Sequence, residues 1–368
     1  MTPLDSLTAS DWPEVVGRLG GKAYLEASAR ETDAFRRARR IPDAVSLLRL
    51  VLAYCLGESG LRLTAAWAAS MGLVDISNVG LLFCIRRSEA WLSKLVARLL
   101  CCGTPNPAQG RVIRILDATT VPKAGQQARK GNGLMRIHAE LELPHERFSH
   151  FEVTDEKGGE RLDRFEITPG VLYLADAGYL QPARIGAVLE AGADVLIRMA
   201  WRNGSWLDGR GRPFDFMAAF RNARRGLIDR PIHLRRPDAA PMALRFVAAR
   251  LPADKRKQAR QRAERAAQQS GYAITGDRVA AAEWVMLVTS LPAAQADTQT
   301  VLRLYRLRWR IELAFKRLKS IVGLKAPPGT DPRSVRTFIL AHLLAALLLD
   351  PVCDWFDDSP HCAETISD

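Results

Sequence analysis

Four polar residues whose types could do chemistry lie within one stretch of fifteen residues, YRLRWRIELAFKRLK (305–319). Tyr305, Arg308, Glu312 and Lys319 recur there at intervals of three, four and seven residues. An α-helix turns by about 100° per residue, so these intervals place all four side chains on one narrow stripe. The glutamate on this stripe is a candidate ligand for a hard metal ion, since carboxylate oxygens are the ligands that such ions prefer. The stretch therefore predicts a helix that brings one acid, one phenol and two basic groups to one mixed polar surface.

The remaining positions of this helix predict a buried face and a basic flank. The apolar positions of the buried face are Leu304, Leu307, Ile311, Phe315 and Leu318. The arginines of the opposite, exposed flank are Arg303, Arg306, Arg310 and Arg317. Asp297 is suited to cap the start of the helix and Gly323 to end it. The alternative is an ordinary surface helix with an Arg308–Glu312 pair, which would contribute only about 0.2–0.5 kcal/mol.

Two further acids each follow an apolar strand. Asp117 comes after VIRIL and Asp176 after VLYLA. Because a bare buried carboxylate is costly, each must be paired, solvated or bound to a cation. Two such acids on adjacent strands, with a third from a packed helix, could hold two magnesium ions and so stabilise the attacking and leaving oxygens of a phosphodiester displacement. Each aspartate by itself is more typical of a strand end or turn, and only the three acids together indicate chemistry.

The elements around these acids predict a mixed α/β core. RVIRILDATTV predicts a strand, LMRIHAELEL and RFSHFEVTD predict antiparallel strands, and GVLYLADAGY predicts a buried strand. A helix, LQPARIGAVLEAG, and a strand, ADVLIRMAW, follow. Three meandering strands, then a strand, a helix and a strand, is the order of a ribonuclease-H-like core. His138, in RIHAEL, could lie near the metals, although a hydrogen-bonded sheet histidine is the commoner alternative.

The segments on either side of this core have their own patterns. Apolar residues at helical period predict helices from residue 1 to about 105, and TAAWAASMGLVDISNVGLLFCIRR (64–87) resembles either a helix-turn-helix with Gly72 at the turn or a plain helical bundle. In residues 203–296, RPIHLRRP, ALRFVAARLP and EWVMLVTSLP predict strands, and KRKQARQRAERAAQQ predicts a basic helix. That helix could be a solvated face or a phosphate-contacting arm.

The composition points to a polyanionic partner. The 368 residues carry a net charge of +13 with a pI near 9.8. Such a surplus favours nucleic acid first and an anionic membrane second, against the alternative of a basic protein with neither partner. No signal peptide is predicted, and the apolar run from 338 to 349 is predicted to be too short to span a bilayer. The six cysteines form no CxxC pair and are expected as reduced packing residues in a bacterial-type cytoplasm.

These residues resemble the DDE-class bacterial transposases of the insertion sequence 4 family. The family signature is Tyr, two residues, Arg, three residues, Glu, six residues, Lys, which matches Tyr305, Arg308, Glu312 and Lys319. The first acid of the family precedes small hydroxyl residues, as Asp117 does in LDATT. Its second acid occurs as D-x-G-Y, as in ADAGY. A β-rich insertion before the glutamate helix is also typical, and the resemblance covers roughly residues 40 to 345.

The resemblance implies metal-dependent cut-and-paste DNA transposition. Asp117, Asp176 and Glu312 would be both catalytic residues and ligands of two Mg²⁺ ions, with Mn²⁺ as a substitute. The DNA-binding residues would be Tyr305, Arg308, Lys319 and Trp309, the last stacking on a displaced base unless it serves only in packing. The partners would be the double-stranded terminal inverted repeats and the target DNA. A homodimer in the synaptic complex, a cytoplasmic, nucleoid-associated location and no membrane contact complete the expectation.

The predicted organisation is therefore an α-helical N-terminal domain followed by an α/β, ribonuclease-H-like catalytic core with a β-rich insertion. The predicted boundaries are 1–105 for the DNA-binding domain, 106–202 for the first part of the core, 203–296 for the insertion, 297–349 for the glutamate helix and C-terminal helix, and 350–368 for an acidic tail. Two rivals remain: another metal nuclease of the same fold, such as a resolvase, and an inactive or truncated transposase that acts as a DNA-binding repressor.

Overall fold

The computed structural model describes residues 12–57, 59–101, 110–123, 133–143, 145, 147–155, 157–199, 201–202, 204–236, 239–320, 324 and 326–349. The predicted acidic tail and the predicted helix end at Gly323 lie outside these residues. The described residues belong to two compact units. The first unit takes its residues from 1–104, 118–159 and 310–354, and the second takes its residues from 105–117, 160–309 and 355–368.

Both units combine helices with strands. The helices are α1 (Trp12–Arg18), α2 (Gly21–Glu31), α3 (Ala44–Leu56), α4 (Leu61–Ser70), α5 (Asn78–Arg87), α6 (Glu89–Cys101), α7 (Pro182–Glu190), α8 (Phe216–Arg221), α9 (Ala253–Gln269), α10 (Gly276–Ala282), α11 (Thr298–Arg306), α12 (Arg308–Ser320) and α13 (Pro332–Leu349). The strands are β1 (Ile113–Pro122), β2 (Leu134–Leu143), β3 (Arg147–Asp155), β4 (Leu172–Ala175), β5 (Asp194–Arg198), β6 (Trp206–Leu207), β7 (Leu227–Arg236), β8 (Ala239–Arg250) and β9 (Trp284–Thr289).

The N-terminal helices of the first unit form where apolar spacing and capping residues agree. Asp43 caps α3 by accepting the Ser46 N–H at 2.8 Å. Helices α4 and α5 share an apolar cluster with Leu50 of α3. Seven residues, 71–77, connect these two helices, and Gly72 adopts a left-handed φ of 63° at the turn. The predicted pair of helices with a glycine turn is thus confirmed, with a connection longer than the three to four residues of a typical helix-turn-helix.

Helix α13 packs against other helices of the first unit. The Thr337 hydroxyl donates to the Ile85 carbonyl at 3.0 Å, and Arg336 pairs with Glu89. Its 18 residues have a mean hydropathy of 1.4, so length and composition alone would allow it to cross a membrane, but 72% of it is buried within the protein. The predicted apolar run, 338–349, covers only the later part of this helix. The helix starts earlier, at Pro332, where Asp331 accepts the Ser334 N–H at 3.0 Å.

The sheet strands of the first unit form a meander. β2 and β3 pair antiparallel, and His138 lies opposite Glu152. β2 neighbours β1, and the Lys123 N–H donates to the Gly133 carbonyl at 2.9 Å where the two strands meet their connection. The order β3-β2-β1 within this unit agrees with the predicted three-stranded meander.

In the second unit the strands follow the order β1-β4-β5-β9-β8-β7-β6. β1, β4 and β5 run parallel, and every later neighbour pairs antiparallel, so the sheet is mixed. Helix α7 connects β4 to β5, as the sequence predicted. The predicted insertion contains the expected strands and basic helix, with two additional short helices, α8 and α10. Its last strand, β9, pairs with β5 and extends the sheet.

The predicted single helix over 305–319 is wrong in one respect, because it is two helices. α11 ends at Arg306 and α12 begins at Arg308. Leu307 keeps a helical φ of −59° and ψ of −32°, but its N–H donates to the Leu304 carbonyl three residues back, at 3.1 Å, instead of four. This tighter turn interrupts the α-helical ladder, so Tyr305 lies on α11 and the other three signature residues lie on α12. Asp297 caps α11 as predicted, through the Thr300 N–H at 2.7 Å.

The predicted basic flank is also not uniformly exposed. Arg303 is exposed, but Arg310 is only 3% exposed. The Nη1 of Arg310 donates to the Leu100 carbonyl at 2.8 Å, in the last turn of α6. Carbonyls at helix ends lack an intrahelical donor, so this carbonyl offers the guanidinium an acceptor inside the first unit. Helical period shows which side of a helix a residue occupies, but not which carbonyl lies opposite it.

Candidate active site

The strand register brings the two predicted aspartates side by side. Ile115 of β1 pairs with Leu174 of β4 in parallel. Asp117 lies two residues further along β1, and Asp176 lies two residues after Leu174, directly after the end of β4. Partner residues of neighbouring parallel strands are about 4.8 Å apart and point to the same face of the sheet. Asp117 is only 9% exposed, so the pair combines one buried carboxylate with one at the strand end.

The D-x-G-Y turn holds Asp176 in a defined orientation. Asp176 follows the last residue of β4, and its Oδ1 accepts the Gly178 N–H at 2.8 Å. A Cβ on residue 178 would lie 2.0 Å from Oε2 of Glu160 and 3.1 Å from Oδ1 of Asp176. The glycine therefore lets the Glu160 carboxylate approach the turn. Tyr179 is buried after it, with its ring centroid 6.3 Å from that of Phe165.

A third charged residue, Arg198, continues the row formed by the two aspartates. Ala175 of β4 pairs with Ile197 of β5, and Asp176 and Arg198 are the next residues along the two chains. Arg198 is exposed at the end of β5. This residue was not among the predicted site residues. In the sequence it is one of two charged residues, with Asp194, in the mostly apolar stretch ADVLIRMAW.

Tyr305 and Arg308 lie next to this row. The Nε of Arg308 donates to the Tyr305 hydroxyl at 3.0 Å, and the guanidinium carbon lies 5.5 Å from the ring centroid. The Nη1 of Arg308 is 3.8 Å from Oδ1 of Asp117. Arg308 is 3% exposed, so this positive charge faces the aspartate in a poorly solvated environment, where charges interact more strongly than in water.

The electrostatics around Tyr305 keep its phenol neutral. Burial raises its pKa to about 12; the positive charges of Arg308 and Arg198 oppose that increase, and the negative charge of Asp176 adds to it. The hydroxyl accepts a hydrogen bond from Arg308 and keeps its own proton over the physiological pH range. A neutral phenol in this position can donate that proton to a phosphate oxygen.

A buried polar network fixes the start of α11 and so the approach of Tyr305. Asp229 of β7 accepts hydrogen bonds from Nε of Arg245 at 2.6 Å and from the Thr298 hydroxyl at 2.5 Å. The Nη1 of Arg245 also donates to the Ala296 carbonyl at 2.6 Å. Burial alone would raise the pKa of Asp229, but the bonds from Arg245 and Thr298 outweigh it and lower that pKa. Strands of the insertion therefore hold the first turn of α11.

The other predicted site residues occupy separate positions. Glu312 and Lys319 belong to the first unit and are exposed on α12, and Trp309 is half-buried at the end of the second unit. Within α12, Glu312 lies one turn after Arg308. Across the described parts of the chain, no group of three or more His, Cys, Asp or Glu side chains forms a metal-binding cluster. The convergence of the three acids stays a prediction.

His138 is better explained as a sheet residue. It lies on β2 in the first unit, is fully buried, and has its Nε2 3.1 Å from the Thr154 hydroxyl on β3. This contact agrees with the commoner of the two alternatives that the sequence left open.

Comparison with known proteins identifies the family. A family model described as the transposase DDE domain matches residues 108–348. The chain is 34% identical over 351 residues to the putative transposase InsL for insertion sequence element IS186A of Escherichia coli (strain K12), a match that covers 93% of this chain and 94% of that protein. It is also 34% identical over 352 residues to the transposase for insertion sequence element IS421 of Escherichia coli, with the same coverage. With Asp117 and Asp176 in register inside the matched region, the chain belongs to the DDE-domain family of DNA transposases.

Proposed function

We propose that this transposase moves an insertion sequence by metal-dependent cut-and-paste transposition, with cleavage at the ends of the element followed by strand transfer. The observation that carries the proposal is the parallel register of β1 and β4, which sets Asp117 beside Asp176. Both carboxylates lie beside the Tyr305–Arg308 pair, which can bind phosphate. Acids on neighbouring strands, with phosphate-binding groups beside them, suit a reaction on a phosphodiester.

The chemistry of the donors fits a divalent metal ion, as used generally by DDE domains. Asp117 and Asp176 offer only oxygen ligands, which Mg²⁺ prefers and Mn²⁺ accepts. We assign Asp117, Asp176 and Glu312 as the residues that would hold two Mg²⁺ ions, with Mn²⁺ as a substitute. When bound, such ions would act as Lewis acids on the attacking and leaving oxygens.

The position of Glu312 on α12 supports its assignment as the third acid. Arg308 opens α12 and has its guanidinium 3.8 Å from Asp117, and Glu312 follows one helical turn later. The Y-R-E-K spacing of the sequence supplies the second support, since it matches the family signature. A carboxylate at this position would complete an oxygen-rich ligand set.

The cationic and phenolic residues would hold the DNA strand. The Tyr305 hydroxyl would donate to a phosphate oxygen, and Arg308 and Lys319 would neutralise phosphate charge. Arg198 joins this group because it continues the row of Asp117 and Asp176. Trp309, half-buried beside Arg308, is assigned to stacking on a displaced base.

The finer architecture belongs to the same proposal. Parallel β1, β4 and β5, with antiparallel β2 and β3, support a ribonuclease-H-like core interrupted by the insertion at 203–296. The α4–α5 pair is assigned to DNA binding, and the chain is expected to act as a homodimer on terminal inverted repeats and target DNA at the bacterial nucleoid. The predicted boundaries at 105, 202, 296 and 349 remain part of this proposal.

Cleavage of supercoiled plasmid carrying the element's own ends tests the proposal. Wild type with Mg²⁺ or Mn²⁺ should cut at the ends, and Glu312→Gln should bind the ends but lose cutting. Asp277→Asn, the same kind of charge change at an exposed position of helix α10, serves as the matched control and should cut normally. Tight binding by the wild type without cutting in either metal would favour the alternative, an inactive transposase that acts as a repressor.

A further inference from the structure

Helix α9 carries an unusual excess of positive charge and is firmly attached to the second unit. Its 17 residues, ADKRKQARQRAERAAQQ, contain six basic and two acidic side chains. Arg260 donates from Nε to Oε1 of Glu283 at 2.5 Å, and Arg250 donates to Oε2 of the same carboxylate at 2.7 Å. Burial alone would raise the pKa of Glu283, but these two arginines outweigh it and lower that pKa. Ala267, two turns after Arg260, is 1% exposed, so one side of the helix is held against the protein.

The side of α9 opposite these anchors bears only arginine and glutamine. Gln258, Arg262, Arg265 and Gln269 lie about 140° to 200° around the helix from Arg260, and we call these four residues the outer face of α9. All four are exposed. Among the residues that the structure describes, no carboxylate pairs with Arg262 or Arg265. The two acids of the helix, Asp254 and Glu264, lie outside this face.

This pattern differs from an ordinary solvated helix. Charged surface helices typically pair acids and bases at i, i+3 or i, i+4, which stabilises the helix. The outer face instead displays two guanidinium groups three residues apart, between two amides, and neither has an acidic partner in the described parts of the chain. Anchoring by Arg260 and Ala267 keeps this face outward, so the charge is displayed in a fixed direction. Such a face complements an extended polyanion.

The geometry points to the sugar-phosphate backbone of double-stranded DNA, and we propose that the outer face of α9 binds it without reading bases. This inference rests on the proposed function, since it supplies a further contact for the same substrate. From Gln258 to Gln269 the face is about 16 Å long, which corresponds to about five base-pair steps along a duplex. Arginine and glutamine side chains are regular donors to phosphate oxygens, and such contacts position a protein on DNA without sequence information.

Salt dependence of binding gives a measurable consequence. Each phosphate neutralised by a cation adds about 0.9 to the slope of log K against log salt concentration. The double variant Arg262→Gln/Arg265→Gln should lower the magnitude of that slope by about 1.8. The affinity lost by the variant should then be about tenfold larger at 50 mM than at 200 mM salt. Glutamine keeps helix propensity and exposure, so the fold should be retained.

The experiment measures binding of the full chain to a fluorescent duplex of arbitrary sequence by anisotropy, over a range of salt concentrations. Wild type, the α9 double variant and a matched control, Arg221→Gln/Arg224→Gln, are compared. The control removes two charges at exposed positions of the same unit, on α8 and the turn after it. The expected result is the reduced slope in the α9 variant alone.

Two outcomes would overturn the inference and leave the proposed function standing. One is an unchanged slope in the α9 variant while metal-dependent cutting persists. The other is an equal loss in the control, which would mean that net charge and not this face matters. Binding of the wild type to anionic lipid vesicles but not to duplex DNA would contradict both the inference and the proposed function.

Discussion

The row of Asp117, Asp176 and Arg198 on β1, β4 and β5 and the outer face of α9 are both rich in charge, but their charged groups have different surroundings. Beside this row, Arg308 is 3% exposed and faces Asp117 at 3.8 Å. On α9, Arg262 and Arg265 point into solvent without an acidic partner among the described residues. Buried charges depend on their neighbours, whereas exposed charges act almost independently. The first region should therefore respond to substitution through stability, and the second only through binding.

The largest effect is expected at the buried ion pair. Arg308→Ala removes the guanidinium that faces Asp117 and leaves that carboxylate poorly solvated, which should lower the free energy of unfolding by about 4 kcal/mol. Urea denaturation measures this. Arg303→Ala, an exposed arginine on α11, is the control and should change stability by less than about 0.5 kcal/mol. Equal effects of the two substitutions would remove the proposed difference between buried and exposed charge.

The next effect is a pH dependence that comes from Tyr305. Its folded pKa, about 12, lies above the usual 10, so the neutral phenol stabilises the fold below pH 10, and this contribution is lost as the pH rises from about 10 to about 12. The loss should amount to about 3 kcal/mol in wild type and be missing in Tyr305→Phe. Measured across that range, the difference in free energy of unfolding between wild type and Tyr305→Phe should change by that amount. Tyr272→Phe, at an exposed tyrosine, should keep the wild-type slope, and a wild-type slope in Tyr305→Phe would contradict the assignment.

A smaller effect is expected at the turn that orients Asp176. In Gly178→Ala the new Cβ would overlap the Glu160 carboxylate and crowd Asp176, which should cost about 2 kcal/mol and reduce cleavage. Because the obstacle is one side chain, Glu160→Ala/Gly178→Ala should recover most of the lost stability. Thermal unfolding of both variants measures the lost and the recovered stability. A double variant no more stable than Gly178→Ala would mean that the glycine is needed for another reason.

The smallest effect is expected on α9. Arg262→Gln/Arg265→Gln should change the free energy of unfolding by less than about 0.5 kcal/mol, since neither arginine has a partner to lose among the residues that the structure describes. Arg260→Gln on the same helix is the informative comparison, because it removes a bond to Glu283 and should destabilise more. If Arg262 and Arg265 proved as important to stability as Arg260, the outer face would be structural.

Much of the site could be predicted because its residues are local in sequence. Asp117 and Asp176 each follow a short apolar run, and the DAGY turn and the Y-R-E-K spacing are visible in the chain itself. Arg198 could not be selected in the same way, because its place in the row depends on how β4 and β5 align. The buried position of Arg310 was missed for a similar reason, since its acceptor, the Leu100 carbonyl, lies 210 residues away.

The sequence by itself determined which groups are available and on which elements they lie. It placed two acids after short apolar runs, an acid and three further polar side chains at helical spacing, and a basic helix in the insertion, because period and residue type are local properties. Only the tertiary structure decided that Asp117, Asp176 and Arg198 share one register, that the helix divides at Leu307, and that Arg308 is buried while Arg262 is exposed. Register and burial are set by contacts between segments distant in the chain, and local sequence does not specify those contacts.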